Sequence, residues 1–126
     1  MKTGIDFVAA ITRGINDADA AAIDTIFTPD ARSTQYRHAG GVLRGGLDAI
    51  RQALSFSISM FPNVRVEASD VTDAGDRLAF LLTASIPDLD HQGRPKPVAL
   101  APVFAQVRDG KVSEMTVFGR LIQPND

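Results

Sequence analysis

The sequence predicts an α+β fold, with helices gathered in its first half and an antiparallel meander in its second. Three observations carry that reading. Apolar residues recur at helical spacing before Pro62, they alternate or run continuously as strands do after it, and Asp109-Gly110 supplies a hairpin turn late in the chain. At 126 residues the chain has the length of one domain, 1–126. A domain of that size buries about two-thirds of its unfolded surface and needs no covalent staple.

Ile5, Val8, Ala9 and Ile15, with Thr12 on the same face, predict a first helix, and Thr3 with Asp6 stands in capping-box relation at its start. A second short helix follows Asn16-Asp17 and carries Ala21, Ala22, Ile23, Ile26 and Phe27. It stops at Thr28-Pro29-Asp30, because a proline disfavours helix in the residue before it. Ala31 to His38 alternate as a polar strand, Ala39-Gly40-Gly41 turns the chain, and Gly45-Gly46 breaks it again. Leu47, Ile50, Leu54, Ile58 and Phe61 then form the stripe of a long helix that Pro62 ends.

Val64 and Val66 alternate with Arg65 and Glu67, and a turn follows at Thr72 to Asp76. Leu78 to Ile86 and Val98 to Val107 are apolar on both faces, which predicts strands covered on both sides. Pro87 to Pro95 reads as a polar loop between them. Asp109-Gly110 fits a two-residue turn whose central positions both need positive φ, and the last strand runs from Lys111 to about Ile122.

Composition removes several function classes. The absence of cysteine excludes a disulfide framework and any thiolate metal site, and fits a reducing compartment. The 13 basic and 15 acidic residues are interspersed with no basic run, so no nucleic-acid partner is expected. Apolar stretches fall well short of the roughly 20 residues that cross a bilayer, so no membrane partner is expected either. Lys2 followed by Gly4, Ile5 and Asp6 is a poor signal-peptide start, and a cytoplasmic protein is expected.

Five short pieces then agree in order and spacing: Phe27-Thr28-Pro29-Asp30-Ala31, Gly46-Leu47-Asp48-Ala49-Ile50, Phe61-Pro62-Asn63, Gly75-Asp76-Arg77 and Asp109-Gly110-Lys111-Val112. Together they span most of the chain, and the pattern resembles the nuclear transport factor 2-like superfamily and, within it, the SnoaL-like group. The resemblance implies a cystatin-like cone: a curved, mixed, mainly antiparallel sheet wrapped around a long helix, with two N-terminal helices. It also implies an apolar pocket open at one end, and a homodimer paired through the outer sheet face. The two-sided apolar strands suggest such a covered face independently, since a bare one would be an aggregation hazard.

Fold alone warrants no activity, so each chemistry that the resemblance implies has to be sought in the residues. A ketosteroid-isomerase-like base falls near Gln35, where an amide cannot accept a proton, and Pro97 to Val107 lacks the protonated acid. The acid of SnoaL-like polyketide cyclases falls near Arg120, in a stretch from Met115 to Ile122 with no carboxylate. Leu78 to Ile86 carries no charge for an epoxide-hydrolase arrangement.

What remains is Tyr36 and His38, two apart on one strand and so on one face about 7 Å apart. A phenol that donates to an oxyanion and an imidazole that titrates near neutrality could do acid–base work on an enolisable ketone. A solvated strand surface is the plainer explanation of the same pair. Arg120 either holds an anionic group in the pocket or makes a salt bridge at its rim. Phe56, Met60, Phe104 and Phe118 read as pocket wall or as core. Asp88, Asp90 and His91 suggest a metal site on paper, but a loop whose carboxylates cap its own amides explains them better, and no metal or cofactor is expected. Two functional readings follow. One is a cofactor-independent isomerase, cyclase or hydratase-type enzyme acting on a small apolar molecule, and the other is a non-catalytic ligand-binding or dimerisation module.

Overall fold

A computed structural model describes residues 4–17, 25–37, 40–52, 64–89 and 95–122. Helix α1 (Gly4–Asn16) starts the chain. Its buried stripe is Phe7, Val8, Ile11 and Gly14, while Ala9 is exposed. The stripe is therefore turned away from the expected Ala9–Thr12 line, because the bulky ring of Phe7 takes the core position. The expected second helix lies largely outside the described residues, as does Thr3.

Among the described residues seven strands follow. They are β1 (Phe27–Tyr36), β2 (Val42–Gly45), β3 (Arg65–Asp73), β4 (Arg77–Leu89), β5 (Pro95–Arg108), β6 (Lys111–Phe118) and β7 (Arg120–Leu121). The sheet order is β2-β1-β6-β5-β4-β3, with β7 pairing β5. β1 and β6 run parallel and every other pair is antiparallel, so the sheet is mixed but mainly antiparallel, and the fold is α+β.

Several boundaries differ from the sequence reading. β1 begins at Phe27 and not at Ala31, so Phe27 belongs to a strand and not to a helix end. Pro29 is tolerated there because the β1–β6 register jumps between Phe27 and Arg32, where no ladder donor is required. β2 was not foreseen: four residues containing Arg44 and Gly45 carry little strand signal. β4 and β5 both extend into the expected loop until Leu89 pairs with Pro95. The last strand is interrupted at Gly119. The hairpin at Asp109-Gly110 is as the sequence suggested, with φ of 54° and 77°.

The core is nucleated by rings. Phe7 meets Phe27 edge-on at 5.8 Å and Phe80 at 5.9 Å. Leu78, Val103, Ala105 and Val112 close around them, all buried. The end of α1 is tied to the free edge of the sheet through Asn16. Its Nδ2 donates to the Val66 carbonyl at 3.1 Å, and its Oδ1 accepts from the Val66 amide at 2.8 Å. The side chain thus behaves as a neighbouring strand would, covering edge strand β3 where it would otherwise invite pairing. Arg65 Nη1 donates to the Asn16 carbonyl at 3.0 Å, which satisfies one orphan acceptor of the helix end.

Residues 47–52 are helical. The rest of the expected long helix, through Phe61, lies outside the described residues. Gly45 sits at the corner before this helical stretch, where an added Cβ would stand 2.4 Å from the Ala49 Cβ. Absence of a side chain at Gly45 is what lets the helix start directly over the strand.

At the surface, Arg108 Nη2 donates to Asp30 Oδ1, joining β5 to β1. The Asp30 carboxyl lies below its ordinary 3.8, through the Thr28 hydroxyl first and Arg108 second. The buried Thr28 hydroxyl meets no partner at full hydrogen-bond geometry, whereas Arg108 does, so we assign the contact chiefly to Arg108.

Two outcomes follow. Phe80→Ala should cost about 3–5 kcal/mol in urea unfolding, whereas Phe104→Ala, on the exposed face, should change monomer stability by about 0.5 kcal/mol or less. Asp30 binds its proton less readily folded than unfolded, so its contribution is complete above the unfolded value of 3.8 and is lost as pH falls through the lower folded value. Unfolding curves for the parent and Asp30→Asn should therefore converge below that window and separate above it.

Candidate functional site

Strand pairing assigns each residue to one face of the sheet, because partners share a face and chain neighbours alternate. The inner face, against α1, carries the row Phe80, Val103, Val117, Gln35 and Leu43. The next inner row toward the buried end holds Leu78, Ala105, Met115, Ser33 and Gly45. In the other direction lie Leu82 with Ala101 and Ala84 with Ala99, flanked by Ala68 and Val66 of β3.

Burial along this face changes in one direction on every central strand. Phe27 and Ala31 are buried but Ser33 and Gln35 are half-buried; Leu78 and Phe80 are buried but Leu82 and Ala84 are not. Ala105 and Val103 give way to Ala101 and Ala99, and Val112 gives way to Met115 and Val117. Along these four strands the inner face is therefore most buried beside α1 and half-buried toward the far end of β1, while Val66 on β3, beside Ala84, is buried under the end of α1. Its half-buried part carries mainly apolar side chains with two polar ones, Ser33 and Gln35, among the described residues. The helical stretch at 47–52 starts over Gly45, the strand partner of Ser33, and Ile50 is buried there.

The outer face is different. Tyr36 and Phe118 are cross-strand partners whose rings stack at 4.9 Å with an interplanar angle of 5°. Phe104 meets Phe118 edge-on at 6.0 Å. All three are solvent-accessible, at 37%, 42% and 53%. Leu81 and Pro102 pair on the same face. Toward the β3–β4 turn this apolar band gives way to a charged row of Arg77, Gln106, Glu114 and Arg32. A shallow groove of about 310 Å³ lies where Ala79 is too short to fill the space between Thr72 and Phe104, with Arg77 and Glu114 on its rim.

The structure thus brings together Tyr36, Phe104 and Phe118, but on the outer face. Arg120, paired with Leu100, shares that face and is exposed. Phe56, Met60 and His38 lie outside the described residues, as do Asp90 and His91. Ser33 was not singled out by the sequence, and Gln35 was weighed only as a missing base. The signal was in the strand itself: alternation places Ser33 and Gln35 with Ala31, opposite Tyr36. What the pattern did not show was which side is the inside.

Among the described residues no group of three His, Cys, Asp or Glu side chains is placed to hold a metal ion. Nor is any described helix long and apolar enough to cross a membrane.

Comparison with known proteins bears on this geometry. A family model described as a SnoaL-like domain matches residues 7–115. Among solved structures, the chain is similar to IdmH of Streptomyces antibioticus, a candidate polyketide cyclase, with TM-score 0.74 and 20% identity over 92% of this chain and 91% of that one. A candidate SnoaL-like polyketide cyclase from Jannaschia sp. CCS1 aligns with TM-score 0.68 and 20% identity over 92% and 84%. An uncharacterised cystatin-fold protein from Novosphingobium aromaticivorans aligns with TM-score 0.69 and 16% identity over 93% and 98%. At such identities these likenesses speak for the fold. No curated protein matches the chain.

Proposed function

The chain belongs to the SnoaL-like domain family, and from that premise we propose that it binds a small apolar molecule at the half-buried end of the inner sheet face. The observation that carries this is the common direction in which burial falls along β1, β4, β5 and β6, leaving an apolar wall half-buried toward one end. A concave, mostly apolar surface with a few polar groups is the usual form of a small-molecule site.

On this reading the protein is a cofactor-independent enzyme of cyclase, isomerase or hydratase type acting in the cytoplasm. An acid–base role for Tyr36 and His38 belongs to this proposal too, with the Tyr36 ring acting from the outer face at the end of β1. Phe56 and Met60 belong to the same proposal as wall residues. The alternative is a non-catalytic ligand-binding or dimerisation module, favoured by the lack, among the described inner-face residues of β1, β4, β5 and β6, of the carboxylates that known mechanisms need. The outer aromatic pair of Phe104 and Phe118 is, on either reading, the surface through which two copies pair, with Arg120 beside it.

Thermal unfolding against steroids, terpenoids and polyketide-like aromatics tests the pocket. A ligand at a hundredfold excess over its dissociation constant adds about 2.7 kcal/mol to the folded state. A rise in midpoint with one chemical class is expected, and Ala101→Phe should abolish it while the protein still folds. A rise that survives Ala101→Phe sinks the inner-face reading. Tyr36→Phe should keep the rise and, for the enzyme reading, lower turnover at least about a hundredfold; unchanged turnover leaves binding alone. Sedimentation velocity at micromolar concentration should show a dimer that Phe118→Glu splits, and a monomeric parent overturns the pairing.

A further inference from the structure

We propose that β3 is an edge strand built to refuse a further strand, above all the β3 of a second copy, and that Asp70 and the Asn16 side chain are what close it. This edge is separate from the ligand site proposed above, and its guard stands or falls without that site.

Among the described residues β3 is last in the sheet, with β4 on one side. A strand in that position turns alternate backbone N–H and C=O groups outward, where they template another strand. Two sets of hydrogen bonds show which groups those are. The Val66 amide and carbonyl are both taken by the Asn16 side chain, so they point away from β4. By alternation the Ala68 groups point the same way. The Ala74 amide donates to the Arg77 carbonyl at 2.9 Å, and so points toward β4. An even number of residues separates Val66 from Ala74, and in a regular strand both would point in one direction. The direction therefore reverses between them. The pairing shows where: Ser69 meets Leu81 and Thr72 meets Ala79, which leaves one extra residue on β3.

Asp70 lies in that bulge with φ of 54°, a left-handed conformation that aspartate tolerates and a β-branched residue does not. Before the bulge the outward groups fall on Val66 and Ala68; beyond it they fall on Asp73. A straight partner in step with Ala68 is out of step at Asp73, and Val66 is already occupied. Charge acts in the same sense. Glu67, Asp70 and Asp73 are all exposed, and Arg65 is the one basic residue of the strand. Two antiparallel copies centred on Asp70 would set Asp70 against itself and Glu67 against Asp73, and like charges directly opposite repel.

Hydrogen exchange on the parent chain tests the geometry. The Ala68 amide should exchange about a hundredfold faster than those of Glu67 and Ser69, which face β4. An Ala68 amide as protected as its neighbours overturns the proposal whatever the variants do. Association is read by sedimentation velocity at high salt, which screens the carboxylates, in a Phe118→Glu background that keeps the outer face out of the result. Asn16→Ala combined with deletion of Asp70 should raise the sedimenting mass about twofold or more over Phe118→Glu alone. Ala68→Pro should reverse that rise, since a proline there removes only an outward N–H. Asp70→Val replaces the deletion if circular dichroism shows the shortened chain unfolded. A folded variant whose mass does not rise, or a rise that survives Ala68→Pro, overturns the guard.

Discussion

Phe7 reaches from α1 to touch rings on two strands that are not neighbours in the sheet, Phe27 of β1 and Phe80 of β4. In a flat sheet those strands would stand three spacings apart, about 14 Å. Both rings lie within 6 Å of the Phe7 ring, so one helical side chain bridges strands three places apart and marks that face of the sheet as the inside. Once Phe80 faces α1, strict alternation sends Val103, Val117 and Gln35 inward with it and leaves Phe104, Phe118 and Tyr36 outside.

The two faces consequently have separate chemistries on the same strands. Inside, aromatic and branched residues fill the buried end and mainly apolar side chains line the half-buried one. Outside, a stacked aromatic pair and Phe104 stand in solvent beside a row of charges. Exposed apolar patches of that kind commonly mark contact surfaces, whereas the inner apolar residues are buried or half-buried.

Much of the meander was legible because its signals are local. Alternation at Val64–Glu67, glycine at the β3–β4 turn and Asp109-Gly110 each act within a few residues. Elements that depend on distant partners were not. β2 is a strand only because β1 lies beside it, and Pro29 falls inside β1 because β6 tolerates an irregular register there. The same limit governed the site. β4 and β5 are apolar on both faces, so their pattern carries no mark of inside and outside, and Phe104 and Phe118 could be read as pocket wall. The spacing of Tyr36 relative to Ala31 fixed that they oppose each other; the side followed only from the packing of Phe7.

The parallel pairing of β1 with β6 has a consequence for the order of assembly. Phe27 meets Val112, so the strand that begins the sheet waits for one made only after β3, β4 and β5. Until then β1 and β2 can form a hairpin, and β3 to β5 can form another piece, but nothing unites them. Closing so long a loop is entropically slow, and pairings distant in sequence lengthen folding times. During synthesis the chain therefore carries two unfinished sheet fragments with open edges, and its apolar strands β4 and β5 are exposed before their partner arrives. Its exposure to misassembly is greatest in that interval, and it ends when the last hairpin docks β6 between them.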